Sequence, residues 1–284
     1  MKNVKKIINA QNVYLNGISG EKIRIAILDT GSSSHEDIRN QIVCFKDYVN
    51  YKEFMYDDNG HGTHICGIIA GKNGIAPNAE IISIKVLDEK GNGTANEMIY
   101  GLRWLKNNYE RWKIRIINIS VGFMSGADYK KQKEILALID GLWELGVIVV
   151  AAAGNNGPNP FSVTVPGIAR KIITVGSSDD EMKHYSGVGP TNCCIVKPEI
   201  LAPGTKIYSC SNDTKGYVSK SGTSMAAPVV VGAIALALEV NPKLTPVQIK
   251  IILYKTVDKT TKYGWGIINV DRFVEVAKVF SLEI

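Results

Sequence analysis

Ile23-Arg24-Ile25-Ala26-Ile27-Leu28-Asp29-Thr30-Gly31 is the stretch on which the fold turns. It is apolar almost throughout, with no alternation, as expected of a strand buried on both faces. It then stops at an acid, a hydroxyl and a glycine. Residues 81–87, 114–120, 147–153 and 172–177 repeat the pattern. Helical patterning is read over 63–70, 96–109, 129–145, 223–240, 246–254 and 270–279. Strand, helix, strand at this rhythm predicts an α/β fold whose mostly parallel central sheet is covered on both faces. No internal repeat or low-complexity segment interrupts it, so residues 1–284 are expected to form one domain, with 1–20 as an N-terminal extension.

Composition narrows the function classes. The chain is 284 residues long, 45% hydrophobic and 21% charged, with a mean hydropathy of +0.01. No run of roughly 18 apolar residues is read, so no membrane span is expected. Net charge is 33 − 27 = +6 and no long basic block appears, so nucleic acid is not an expected partner. Cys44, Cys66, Cys193, Cys194 and Cys210 are odd in number and lack CxxC spacing. Neighbouring cysteines do not pair readily, which argues for a reducing compartment. The first twenty residues carry lysines but no signal-peptide core, so the expected location is the cytoplasm.

A doubly wound sheet collects its site outside the carboxyl ends of its strands. Three strands end there in Asp29-Thr30-Gly31, Ser120-Val121-Gly122 and Gly154-Asn155-Asn156-Gly157. Two helices open with Gly60-His61-Gly62-Thr63-His64 and Ser221-Gly222-Thr223-Ser224-Met225. Ser224, in the first turn of an apolar helix, has unpaired backbone N–H groups around it that suit an oxyanion. Read alone, it is the simpler thing, an N-cap. The glycines beside His61 leave its ring open to close approach. His64, three residues on, shares that helical face, but with no HExxH and no third ligand it reads as a packing residue. His35 and His184 read as turn or core residues. Asp29 closes an apolar strand, where a carboxylate needs a partner, or it starts an Asx-turn. Asn155 is a turn residue or an amide donor. Taken together, the four supply acid, base, nucleophile and donor.

With those residues in place, the sequence resembles the subtilisin-like serine proteases. Asp29-Thr30-Gly31, His61-Gly62-Thr63-His64 with Gly67, and Gly222 to Pro228 are similar to that family's three signatures, in the family's order. Ala152-Ala153-Gly154-Asn155 is similar to its oxyanion segment. The likeness spans residues 11–270. Ser186 to Thr191 and Lys197 to Gly204 look most like the intracellular bacterial branch. The resemblance implies a single three-layer αβα domain and a serine endopeptidase working through an acyl-enzyme. Asp29, His61 and Ser224 would be its triad, with Asn155 and the Ser224 N–H as oxyanion donors. It implies a polypeptide substrate held extended between Gly91-Asn92-Gly93 and Ser120-Val121-Gly122. Ser120 to Gly122 and Ala152, Ala153 and Gly154 would wall the first specificity pocket, roomy enough for a large apolar side chain. A catalytically inactive peptide-binding scaffold is the alternative. A nucleotide-binding fold would need GxGxxG where Asp29-Thr30-Gly31 stands.

No cofactor is expected, and no residue is assigned to a metal. Secreted relatives hold a tight calcium ion in a longer loop after the histidine helix, with an aspartate that Asp37 matches. Here Gly71-Lys72-Asn73-Gly74-Ile75 runs straight into Ala76-Pro77. Calcium takes six to eight oxygens, so that site is expected to be absent, with a weaker one elsewhere left open.

Overall fold

The computed structural model describes residues 1–122, 128–180, 182–191, 194–260 and 263–281. Cys193 therefore lies outside the described residues. Seven strands form one parallel sheet in the order β2-β3-β1-β4-β5-β6-β7. They are β1 (Arg24–Asp29), β2 (Ile42–Asp47), β3 (Glu80–Lys85), β4 (Ile114–Ile119), β5 (Ile148–Ala152), β6 (Ile173–Ser177) and β7 (Ile200–Ala202). A separate antiparallel hairpin joins β8 (Ile207–Cys210) to β9 (Tyr217–Lys220). The helices are α1 (Lys2–Ile7), α2 (Gln11–Leu15), α3 (His61–Ala70), α4 (Ala95–Asn108), α5 (Tyr129–Glu144), α6 (Thr223–Val240), α7 (Pro246–Thr256) and α8 (Val270–Val279).

Two neighbouring residues of β1 reveal the three layers. A Cβ built on Gly101 of α4 would lie 3.1 Å from the Leu28 side chain. One built on Gly62 of α3 would lie 3.2 Å from the Cβ of Asp29. Successive strand residues point to opposite faces, so α3 and α4 cover opposite sides of the sheet. Helix α6 lies beside α3 and spans β4, β5 and β6; α5 pairs with α4 on the other face.

Register brings the strand ends together. Leu28 pairs with Ile119, and Ile119 with Ala151. Asp29, Ser120 and Ala152 therefore leave three adjacent strands at one level. The strand order reverses between β1 and β4, which opens a crevice there.

One expectation needs revision. The run 223–240 does reach membrane-spanning length, with a mean hydropathy of 1.8 over its 18 residues. Its apolar surface is used inside the protein, where 83% of that window is buried. The N-terminal extension, residues 1–20, packs onto the rest of the chain. Val4, Ile8, Ala10 and Val13 join the main core, and the Asp271 carboxylate accepts from the N–H groups of Asn12 and Val13. Strand β2 was not expected, because its edge position leaves Val43 exposed and gives it no continuous apolar run.

Candidate active site

Asp29 is 1% exposed at the end of β1 and contacts the ring of His61. Its Oδ1 accepts from His61 Nδ1 at 2.7 Å and from the Thr30 N–H at 2.8 Å. His61 opens α3, and the glycine after it has a different purpose from the one expected. A Cβ at Gly62 would sit 2.1 Å from the Gly31 carbonyl oxygen, so only glycine lets α3 rest on the loop that follows Asp29. Gly60 caps the helix at φ +92°, a left-handed conformation.

Asp57 fixes that helix end, and no motif singled it out. It is 7% exposed and accepts from the N–H groups of Gly60 and Thr63 and from the hydroxyls of Thr30 and Thr63. Burial would raise its pKa, but the hydrogen bonds from Thr63, Gly60 and Thr30 outweigh burial and hold it below 3.8. A charged Asp57 at the start of a helix also matches the helix dipole.

For His61, burial acts to lower the pKa. The charge of Asp29 and its hydrogen bond overcome this, with help from Asp57 and against Lys220, and lift the value above 6.5. His64 goes the opposite way. Burial is the largest cause of a fall to about 4. Its Nε2 contacts only acceptors, the carbonyls of Ile207 and Val218, so Nε2 carries the proton. His64 thus ties α3 to the hairpin β8–β9, as a packing residue should.

Ser224 lies in the first turn of α6. Its hydroxyl donates to the Ser120 carbonyl at 2.6 Å, and the Ser120 hydroxyl donates to the Ser224 carbonyl at 3.0 Å. Pro228 explains the second bond: a proline four residues on has no N–H to offer that carbonyl. Buried Asn118 completes the chain by donating to Ser120 Oγ at 2.8 Å.

Asn155 follows β5. Its Oδ1 accepts from the Thr223 N–H at 2.9 Å and from the Thr223 hydroxyl at 3.1 Å. The Thr223 hydroxyl accepts in turn from the Gly154 N–H at 3.0 Å. With its oxygen engaged, the Asn155 amide is left with its N–H₂ free to donate.

A cavity of about 400 Å³ joins these groups. His61, Ser224, Asn155, Gly91, Ser120, Val121, Gly122, Ala152 and Gly154 line it. Asn92, Gly93 and Ala153 do not. Ala153 is buried behind the wall, and Gly93 lies within contact of Val86 and Leu87. Sequence reading missed Thr30, Asn59, Leu87, Lys90, Asn156 and Thr164 on the lining. Thr164 matters most for shape. A Cβ at Gly122 would meet its Oγ1 at 2.4 Å, and one at Gly154 its Cγ2 at 2.6 Å. The pocket wall thus carries a hydroxyl that no motif announced.

Lys85 was missed too. It ends β3, is fully buried, and spends all three ammonium protons on Thr30 O, Asp58 Oδ1 and Leu87 O at 2.7, 2.7 and 2.8 Å. It clamps the loop after Asp29 to the loop before His61. A lysine closing an apolar strand was the available signal.

The family model described as the subtilase family matches residues 20–266. The chain belongs to the subtilase family. Serine protease AprX of Bacillus subtilis (strain 168) is 34% identical to it over 308 residues, covering 94% of this chain and 70% of that protein. Subtilisin DY of Bacillus licheniformis is 34% identical over 279 residues, covering 93% and 95%. The crystal structure of a cold adapted subtilisin-like serine proteinase matches with a TM-score of 0.76 at 30% identity, over 89% of this chain and 90% of that one. This subtilase is a subtilisin-like serine endopeptidase with the α/β fold of its relatives.

Proposed function

We propose that this subtilase cleaves peptide bonds with Ser224 as nucleophile, His61 as general base and then acid, and Asp29 as the group that orients and charges His61. The observation that carries this is the 2.7 Å contact of His61 Nδ1 with Asp29, in the crevice where Ser224 and Asn155 also stand. The Ser224 hydroxyl leaves the Ser120 carbonyl and turns to His61; such contacts often align only with substrate present. Oγ then bonds to the scissile carbon, and its proton passes to His61 Nε2. The Asn155 N–H₂ and the Ser224 N–H hold the oxyanion. Collapse breaks the C–N bond, His61 returns the proton to the departing amine, and water hydrolyses the acyl-enzyme by the same route. The polypeptide lies extended between residues 91–93 and 120–122 as an added strand. Residues 1–284 act as one catalytic unit, with neither nucleic acid nor membrane as partner.

A fluorophosphonate probe tests the nucleophile. Labelling of Ser224 supports the protease, and silence in folded protein supports the inactive scaffold.

The same proposal carries no tight calcium ion at the place its relatives would suggest. Asp37 Oδ1 lies 3.3 Å from the Lys72 ammonium, and Oδ2 accepts from the Tyr217 hydroxyl at 2.7 Å. The carbonyls of Ile68, Ile69 and Gly71 are engaged by the N–H groups of Ile75, Ala76 and Gly74. These contacts support the reading that no tight calcium shell forms there, since calcium takes six to eight oxygens. The proposed setting is the cytoplasm, supported by the free thiols of Cys44, Cys66, Cys194 and Cys210.

A further inference from the structure

Beside Asp37 the chain gathers donors of a different kind. His35, Asp37 and Cys210 are all buried, and one potential ligand atom from each lies within 4.8 Å of the others. None of the three belongs to the catalytic crevice. His35 and Asp37 stand on the loop after β1, and Cys210 ends β8. The set contains one nitrogen, one oxygen and one sulfur. We propose that His35, Asp37 and Cys210 form a site for a borderline-soft divalent cation of the zinc class, which staples the loop after β1 to the β8–β9 hairpin.

The donor chemistry selects the ion. Zinc takes imidazole, carboxylate and thiolate together, four-coordinate, whereas calcium and magnesium take oxygen. Ligands around a tetrahedral zinc lie about 3.5 Å apart, so the donors must close by about 1 Å, within reach of side-chain rotations. The fourth position has room: Asp37 and Cys210 line a cavity of about 510 Å³, together with Asn73, Tyr208 and Tyr217. That cavity is the route of entry and has space for a bound water.

His35 and Asp37 are held at present by single hydrogen bonds and one exposed ion pair. His35 Nε2 donates to the Gly216 carbonyl at 2.9 Å, and Nδ1 accepts from the Asp37 N–H at 3.1 Å. The ring lies edge-on to Tyr217, with 5.2 Å between centroids. Asp37 keeps Tyr217 on Oδ2 and Lys72 on Oδ1. The Lys72 side chain is 66% exposed, so it can swing into solvent when a cation arrives. Gly216 and Tyr217 lie within four residues of Lys220, the end of the strand that leads to Ser224. A metal here would therefore brace the chain on both sides of the active crevice without touching substrate.

The test uses the Ser224→Ala protein, which cannot digest itself, in a non-thiol reductant. Cobalt(II) is titrated while thiolate-to-metal charge-transfer absorbance is recorded. The expected result is a band that saturates at one equivalent, is displaced by Zn²⁺ and ignores Ca²⁺. Cys210→Ser should abolish it, His35→Asn should weaken binding by about tenfold or more, and Cys66→Ser should leave it intact. No band, or one that survives Cys210→Ser, overturns the proposal. Should Cys210→Ser fail to fold, crystals of the Ser224→Ala protein soaked in Zn²⁺ decide the matter. An anomalous peak between the three side chains supports the site, and its absence overturns it.

Discussion

Ser120 and Ser224 exchange two hydrogen bonds, each hydroxyl donating to the other's backbone carbonyl, at 2.6 and 3.0 Å. One bond parks the Ser224 hydroxyl. The other replaces the helical bond that Pro228 cannot make. The sheet end at β4 and the helix start at α6 are thereby locked together at the cavity that His61 and Asn155 also line.

Ser120→Ala removes the donor and leaves the Ser224 carbonyl unpaired. An orphaned buried carbonyl costs about 1–3 kcal/mol, so the melting temperature should drop. Loosening the helix start should also lower kcat by about tenfold, since small misplacements of a nucleophile are expensive. Thermal melts and steady-state kinetics on a peptide substrate check both. Unchanged kcat with a lowered melting point would confine Ser120 to a structural role.

Asn155 and Thr223 should separate in degree. Asn155→Leu deletes an oxyanion donor and should reduce kcat by about 10²–10³ with little change in KM. Thr223→Val keeps the donor but removes one of the two bonds holding its oxygen. A smaller fall, about tenfold, is expected. Equal losses in the two variants would show that Thr223 does more than hold the amide.

The pH profile follows from His61. Its pKa stands above 6.5 because Asp29 outweighs burial, and only the neutral ring can take a proton. The acid limb of kcat/KM should therefore have its midpoint above 6.5. Asp29→Asn leaves burial unopposed by that charge, so the midpoint should move down as the rate falls. Stability runs the other way: the raised pKa stabilises the fold below pH 6.5, and that contribution is lost as pH rises through the folded value. A profile flat from pH 5 to 9 would contradict a histidine base.

Chelation should leave the protein intact where calcium is concerned. The segment after α3 offers calcium few oxygens, since the carbonyls of Ile68, Ile69 and Gly71 already accept backbone N–H groups. A tightly bound ion at 100 times its dissociation constant would add about 2.7 kcal/mol. Melts of protein first stripped of metal, with Ca²⁺ then added or withheld, should coincide. A large drop traced to oxygens near Asp37 and Asn73 would restore the site of the secreted relatives.

Much of this was legible in the sequence for physical reasons. Buried parallel strands read as apolar runs, and β1, β3, β4, β5 and β6 lie within a residue or two of where periodicity places them. The candidate site residues stand out in the sequence because strand ends and helix starts are where the fold leaves polar side chains. Asp57 was illegible because its importance lies in whom it meets across the fold, and Lys85 showed only as a lysine closing an apolar strand, with its partners hidden. Thr164 reaches the pocket from a loop whose local sequence has no motif. Edge strand β2 and hairpin β8–β9 have mixed exposure, which blurs the period on which such reading depends.

The central claim is that Asp29, His61 and Ser224 act as one device. Its most direct measurement is kcat/KM for peptide hydrolysis by Ser224→Ala, His61→Ala and the double variant, alongside the parent protein. The account predicts that each single change lowers the value by about 10⁴-fold or more, and that the double variant is no slower than the worse single. Retention of more than a few per cent of activity in Ser224→Ala, or losses that multiply in the double variant, would contradict it.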